Sequence, residues 1–444
     1  MKIGILGGGL VGLVVGSRCN AYECEILELE TKVGGHCQSL VQDGYTFDLG
    51  GPHILFSSNK KILDFLHRQL GDNIAQRRRN NKIWYDGRYV KYPFENGLYD
   101  LAPEDRFECL YYYLKNDYRE PTNFKEWIYH VFGKGIAEKY LIPYNEKIWN
   151  VPAEEMAFDW VEGRVPRPPI ADVVKSAVGV ETEGYTHQLY FGYPKHGGIE
   201  AVPQSFAKDC PNVTLNYRVQ KVWRDGQKWL VSDGHAIKSY DRIVSTIPIE
   251  DLIAALPEVP EQVRRCVAGL RHNSLVTVMI GVKSTAPLPY TALYVPATRF
   301  PFHRLSFPLN FTDDGAPPGH MAITAEITTN PGDGIHEASD EQISRRVIDG
   351  IVEMKLIDPD DVRFCKVHRT KHAYVVRSFD YRQNLTTALD YLNGLGIVSV
   401  GRNAEFEYIN MDEAVRRGLA AADALLSELR PSLGVVAALP ESLA

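Results

Sequence analysis

The chain has 444 residues, room for two or three domains, and its 44% apolar and 24% charged content is that of a folded globular protein. Its 49 basic and 56 acidic side chains leave a net charge of −7, which argues against a basic nucleic-acid footprint. No apolar run approaches the roughly 18 residues of a membrane span, and seven scattered cysteines, without a CxxC pair or a His/Cys ligand spacing, point to reduced thiols and no metal site.

The chain opens with KIGIL, GGGLVG, LVVGSRCN and CEILELE, which read as strand, glycine turn, helix and strand, a crossover unit of about thirty residues. A strand that begins at residue 2 leaves nothing for a removable leader, so a cytoplasmic location is expected. Between 98 and 190 the pattern becomes helical and aromatic, as in RFECLYYYLKNDY, with a Pro-rich break at RVPRPPIAD. Short alternating strands return over 214–246, and 250–400 mixes strands such as SLVTVMIGV with a helix after SDEQ. LGIVSV then leads through GRNAEFEYINMDEA into a last helix, with Asn410 as its expected N-cap and Glu413 as a capping-box acid.

The expected fold is α/β, a discontinuous Rossmann-like nucleotide domain with an inserted helical domain and an inserted antiparallel-sheet domain. The expected boundaries are 1–90, 191–248 and 386–430 for the first, 91–190 for the second and 249–385 for the third, with 431–444 a flexible tail.

Gly7, Gly9 and Gly12 form GxGxxG between a strand and a helix, where glycines allow a tight turn and close approach to a pyrophosphate. Glu28 follows sixteen residues after Gly12 and suits ribose hydroxyls, while disfavouring a 2′-phosphate. Next, VGGHCQS supplies Gly34, Gly35 and Ser39, and FDLGGPHILFS supplies Gly50, Gly51 and His53.

VGGHCQS resembles the segment that follows the ribose acid in the flavoprotein superfamily of amine oxidases, protoporphyrinogen oxidases and UDP-galactopyranose mutases, which implies FAD. FDLGGPHILFS is similar to the mutase segment that sets a glycine backbone and a histidine beside the flavin ring. Further stretches resemble the same mutase family in chain order. YVKYPFENGL matches the uracil-holding segment through Tyr92, Phe94 and Glu95, and PYNEKIWNVP matches through Tyr144, Asn145 and Trp149. WVEGRVPRP carries a diphosphate arginine, Arg164, and ALYVPATRFPFHR gives Tyr294 and Arg304. HRTKHAYVV gives Tyr374, with Arg377 close by, and GRNAEFEYINM gives Gly401 and Arg402 for the FAD pyrophosphate and Tyr408 for the substrate phosphates. The resemblance also sets Leu10, Val11, Val219, Tyr408 and Met411 against the cofactor.

What this implies is a flavin-dependent mutase interconverting pyranose and furanose forms of a UDP-galactose-like sugar, through a covalent flavin N5–sugar adduct on reduced FAD. Arg164, Arg304, Tyr374 and Tyr408 would hold the leaving diphosphate, His53 would tune the flavin, and the positive end of the last helix would favour an anionic reduced flavin by about 0.3–2 kcal/mol. NAD(P)H is among the candidate electron donors, a homodimer is compatible with the family, and supply of cell-surface polysaccharide synthesis is the implied role. The chain departs from the family in three places. KSTAPLPYT carries no second arginine before ALYVP, Tyr374 is followed by Val375 and not proline, and Glu95 stands where a glutamine is usual. An oxidase or dehydrogenase of the amine oxidase or protoporphyrinogen oxidase type is the alternative, because it shares every FAD element.

Overall fold

The computed structural model describes residues 1–161, 165–184, 189–210, 212–284 and 286–429. Arg164 and the tail 431–444 lie outside the described residues.

Strand Lys2–Leu6 reads KIGIL, and four of its five residues are buried, as a strand covered on both faces must be. It pairs in parallel with Glu23–Leu27 on one side and Arg242–Ser245 on the other. Val213–Thr214 and Val398–Ser399 extend these flanks to a five-stranded parallel sheet, so distant parts of the chain meet in one layer. Helix Leu10–Arg18 is buried over seven consecutive residues because helix Met411–Leu429 packs on it from outside. A three-stranded antiparallel sheet, Lys221–Asp225, Lys228–Ser232 and Ile237–Tyr240, follows tight turns at Gly226 and Gly234.

The second large layer has seven strands in the order Val362–Val376, Arg271–Lys283, His320–Thr329, Arg304–Ser306, Ala292–Tyr294, Asn81–Tyr85 and Arg88–Lys91. The last two come from residues 81–91 and join through a parallel pair, Leu293 opposite Lys82. The hairpin assigned to the nucleotide domain from sequence therefore completes the far sheet, and that sheet is mixed rather than wholly antiparallel. Burial explains the recruitment: Ile83 and Val90 are fully covered against the helical layer. Helix Asp340–Glu353 covers the opposite face with Ile343, Val347 and Ile351, and starts with a complete capping box of Ser339 and Gln342.

The helical layer includes Pro103–Leu114, Phe124–Ile136, Ile142–Trp149 and Ile170–Ala177, and its core takes in Leu275, Tyr374 and Val376 from the sheet. The candidate site lies at this seam. No helix among the described residues is long and apolar enough to cross a membrane.

Candidate functional site

The first turn after Lys2–Leu6 is shaped for close approach. A Cβ on Gly12 would lie 2.0 Å from the carbonyl oxygen of Gly7, so only glycine lets the helix start this near the strand end. Gly9 is the N-cap of Leu10–Arg18 and offers no side-chain acceptor. The first-turn N–H groups beside Leu10 and Val11 are therefore available to an anion. Glu28 is buried at the next strand end, and its carboxylate accepts from the N–H of Gly8 at 2.6 Å and of Glu30 at 2.8 Å. Burial pushes its pKa up against those two bonds.

Gly34 and Gly35 pack against this first loop, with the Gly34 N–H donating to the Gly8 carbonyl at 2.9 Å. Ser39 makes its hydrogen bonds inside the fold. Its hydroxyl donates to Asp48 at 2.9 Å and accepts from the Glu200 N–H at 3.1 Å, stitching three chain segments together. Asp48 also accepts from the Tyr193 hydroxyl at 2.7 Å, and burial moves its carboxyl up to about 6 against these bonds. Val219 is half-buried against the core around Leu27 and Tyr217.

Gly50 and Gly51 carry the chain to His53. Gly51 has φ 80°, and a Cβ there would meet Glu326 Oε2 at 2.5 Å. The Gly51 carbonyl lies 2.8 Å from His53 Nδ1, which places the imidazole proton on Nδ1 and leaves Nε2 as an acceptor. Burial lowers the His53 pKa to about 4; the Gly51 bond opposes this, and the Arg402 and Arg304 charges reinforce it. His53 is neutral at pH 7.

Glu326 is fully buried and takes Arg304 through two bonds of 2.6 Å, from Nε and Nη2. The resemblance sets Arg304 at the substrate diphosphate; in the fold Glu326 takes two of its five N–H donors, which leaves Nη1 as a donor. Sequence reading missed Glu326, although one acid inside the apolar strand MAITAEITT was a signal.

Arg402 occupies the centre of the seam. Its guanidinium lies 4.6 Å from the Tyr408 ring centroid and 5.7 Å from that of Tyr374. Nη2 donates to the Ala373 carbonyl at 2.7 Å and Nη1 to that of Ile409 at 3.2 Å, while Nε is buried without a partner. Gly401 is held by Glu405, which accepts its N–H at 2.7 Å. Trp149 closes the ring of aromatics, 5.6 Å from Tyr408 and 6.0 Å from Tyr374, and Met411 is buried where the last helix begins. Glu413 does not complete a capping box: its carboxylate binds Arg416 and Arg417.

A second aromatic group continues outward. Tyr144 meets Tyr294 at 5.4 Å, and Tyr294 meets Tyr92 at 4.9 Å. Burial raises the hydroxyl pKa of Tyr92, Tyr144 and Tyr374, keeping them neutral donors. Three residues expected at a ligand have partners inside the fold. Phe94 is fully buried and stacks on Tyr140 at 5.0 Å, next to the buried Glu95. Asn145 donates to the Leu141 carbonyl at 2.8 Å and accepts from Trp149 Nε1 at 3.2 Å, so it orients the tryptophan from within its own helix. Arg377 bonds Glu407 and lies on the Tyr381 ring.

The glycine cradle at Gly12 and the orphaned Nε of Arg402 fit the pyrophosphate of FAD. Residues 5–69 match the model of the NAD(P)-binding Rossmann-like domain, and residues 174–426 match that of the flavin containing amine oxidoreductases. The fold superposes on a crystal structure of reduced UDP-galactopyranose mutase with TM-score 0.88 and 26% identity, covering 96% of each chain. A protein described as a protoporphyrinogen oxidase, from Exiguobacterium sp. 255-15, shares the fold at TM-score 0.76 and 16% identity, with 96% of this chain and 99% of that one covered. A 52-residue stretch is 42% identical to 4,4'-diapophytoene desaturase (4,4'-diaponeurosporene-forming) of Staphylococcus aureus (strain bovine RF122 / ET3-1). That match spans 11% of this chain and a tenth of that protein.

Proposed function

This chain belongs to the family of flavin containing amine oxidoreductases, and from that premise we propose that it is an FAD-dependent mutase acting on the sugar ring of a nucleoside-diphosphate hexose. The observation that carries the reading is the seam itself: the Arg402 guanidinium and Trp149 meet the rings of Tyr374 and Tyr408, and Arg304 is held by Glu326 next to Gly51, a lining of phenols and guanidiniums suited to a diphosphate. The likeness to reduced UDP-galactopyranose mutase over nearly the whole chain supports it.

When bound, reduced FAD supplies the electron-rich centre that substitutes at the anomeric carbon, so no dedicated acid–base side chain is required there. The chain's own residues bind and orient. Gly7, Gly9, Gly12 and Glu28 would hold the adenosine half, and Arg402 Nε a phosphate oxygen. The hydroxyls of Tyr374 and Tyr408, with Arg304 Nη1, would hold the diphosphate while it is detached from the sugar. Tyr144, Tyr294 and Tyr92 offer faces to a flat base. Trp149, fixed by Asn145, would close the seam over the ligand. His53 presents a neutral acceptor, which avoids adding charge next to the flavin.

The test is a titration of the flavin-loaded protein with UDP, read as a change in the flavin absorbance. UDP is expected to perturb the spectrum, and Tyr408→Phe to weaken its binding about tenfold, the value of one hydrogen bond to a charged group. A spectrum indifferent to UDP, GDP and dTDP would overturn the reading.

A further inference from the structure

Next to Tyr374, three side chains far apart in sequence converge. Glu250 is in the first turn of helix Ile249–Ala255, His272 is in strand Arg271–Lys283, and His372 is in strand Val362–Val376. The antiparallel pairing sets His272 opposite Val375, and a register shift between Asn273 and Leu275 swings His372 alongside. The two imidazoles are 4.4 Å apart between centroids. Among the described residues this is the one group of three or more His, Cys, Asp or Glu side chains whose ligand atoms gather, all within 4.8 Å of one another.

We propose that Glu250, His272 and His372 bind a divalent first-row cation, with zinc the best fit, which ties the parallel-sheet body to the large mixed sheet. Glu250 Oε1 is 2.9 Å from His372 Nδ1 and 3.1 Å from His272 Nε2. Ligands of a tetrahedral zinc with bonds of about 2.0–2.1 Å stand about 3.3 Å apart, so small side-chain movements would admit the ion. Two imidazoles and a carboxylate are a donor set that zinc favours, and soft thiolates are absent from the cluster.

Three further observations point the same way. Glu250 Oε2 and His272 Nδ1 are buried without a partner, so an arrangement of histidine–glutamate hydrogen bonds alone leaves two polar atoms unsatisfied. His372 turns its other ring nitrogen, Nε2, toward Asp251 at 3.8 Å, and a carboxylate behind a ligating histidine is a common outer partner in zinc sites. The cluster also lines a cavity of about 10 Å³ shared with Pro248, Asn403 and Phe406. That is about the space of one water, the fourth ligand such a site needs.

The cavity touches Ala373, whose carbonyl holds Arg402, and Asn403 and Phe406 in the loop that follows Arg402. A cation here would brace the wall of the flavin site without entering it. The inference is independent of which substrate the seam takes.

The test uses flavin-loaded protein, treated with EDTA, desalted and titrated calorimetrically with Zn²⁺, with Co²⁺ as the optical probe. One equivalent is expected, with the visible bands of four-coordinate Co²⁺ and a raised thermal midpoint. His272→Ala and His372→Ala should each lose the equivalent while keeping the flavin spectrum, Asp251→Asn should bind about 10–100-fold more weakly, and the exposed His196→Ala should be unchanged. Absence of a zinc equivalent in the parent protein overturns the proposal, and so does an unchanged isotherm in a His272→Ala/His372→Ala double variant. If the variants lose flavin or fail to fold, the parent's Co²⁺ spectrum decides: octahedral, water-like bands reject the site.

Discussion

Glu326→Gln removes the charge from one side of a pair held inside the fold. Glu326 is 0% exposed and Arg304 21% exposed, and two bonds of 2.6 Å join them. Breaking a buried pair costs about 3–5 kcal/mol because the surviving charge is uncompensated. The amide can keep one of the two bonds and Arg304 has a path to solvent, so a loss of about 2–3 kcal/mol is expected. Arg304→Met/Glu326→Leu removes both charges and should recover most of that loss. The assay is urea unfolding of the parent, Glu326→Gln, Arg304→Met, Glu326→Leu and the double variant, the last three analysed with the parent as a double-mutant cycle. A coupling of at least about 2 kcal/mol is expected; additivity to within about 0.5 kcal/mol would refute the claim that the pair is a unit. Glu326→Gln should also bind UDP more tightly, because it frees the Arg304 charge that Glu326 now neutralises.

Gly12→Ala places a Cβ 2.0 Å from the Gly7 oxygen, so the helix must shift and FAD should bind roughly a hundredfold more weakly; a yellow protein with unchanged flavin content would contradict this. Arg402→Met loses two hydrogen bonds and two ring contacts, about 2–4 kcal/mol, and should destabilise the flavin-loaded protein more than the apoprotein in parallel denaturation curves. His53 has its pKa lowered from 6.5 to about 4, so the unfolded chain takes up a proton first as pH falls. Its contribution to stability is present above pH 6.5 and is lost toward pH 4, by up to about 1.4 kcal/mol per pH unit. His53→Gln should flatten that slope, and parallel slopes would count against a neutral His53.

The glycine turn, Glu28 and the Gly34 pair could be read from sequence because backbone contact leaves little choice of residue: at Gly12 no side chain fits. Aromatic residues were harder, since a ring that packs and a ring that binds look alike in one sequence. Phe94 is fully buried in the core, while Tyr144 and Tyr294 meet edge to face at 5.4 Å. Polar residues were read for identity but not for partner. Asn145 serves Trp149, Ser39 serves Asp48 and Glu200, and Arg304 meets a glutamate 22 positions later. Such partners are set by which strands become neighbours, as are the recruitment of Asn81–Lys91 into the far sheet and the meeting of His272 with His372. No local pattern encodes them.

The central claim is tested most directly by incubating dithionite-reduced, flavin-loaded protein with a UDP-hexose under anaerobic conditions and resolving pyranose from furanose forms by chromatography. The account predicts a second ring form of the same nucleotide sugar, with no net consumption of reductant. An unchanged sugar across UDP-, GDP- and dTDP-hexoses, alongside oxygen uptake driven by an amine or a porphyrinogen, would contradict it.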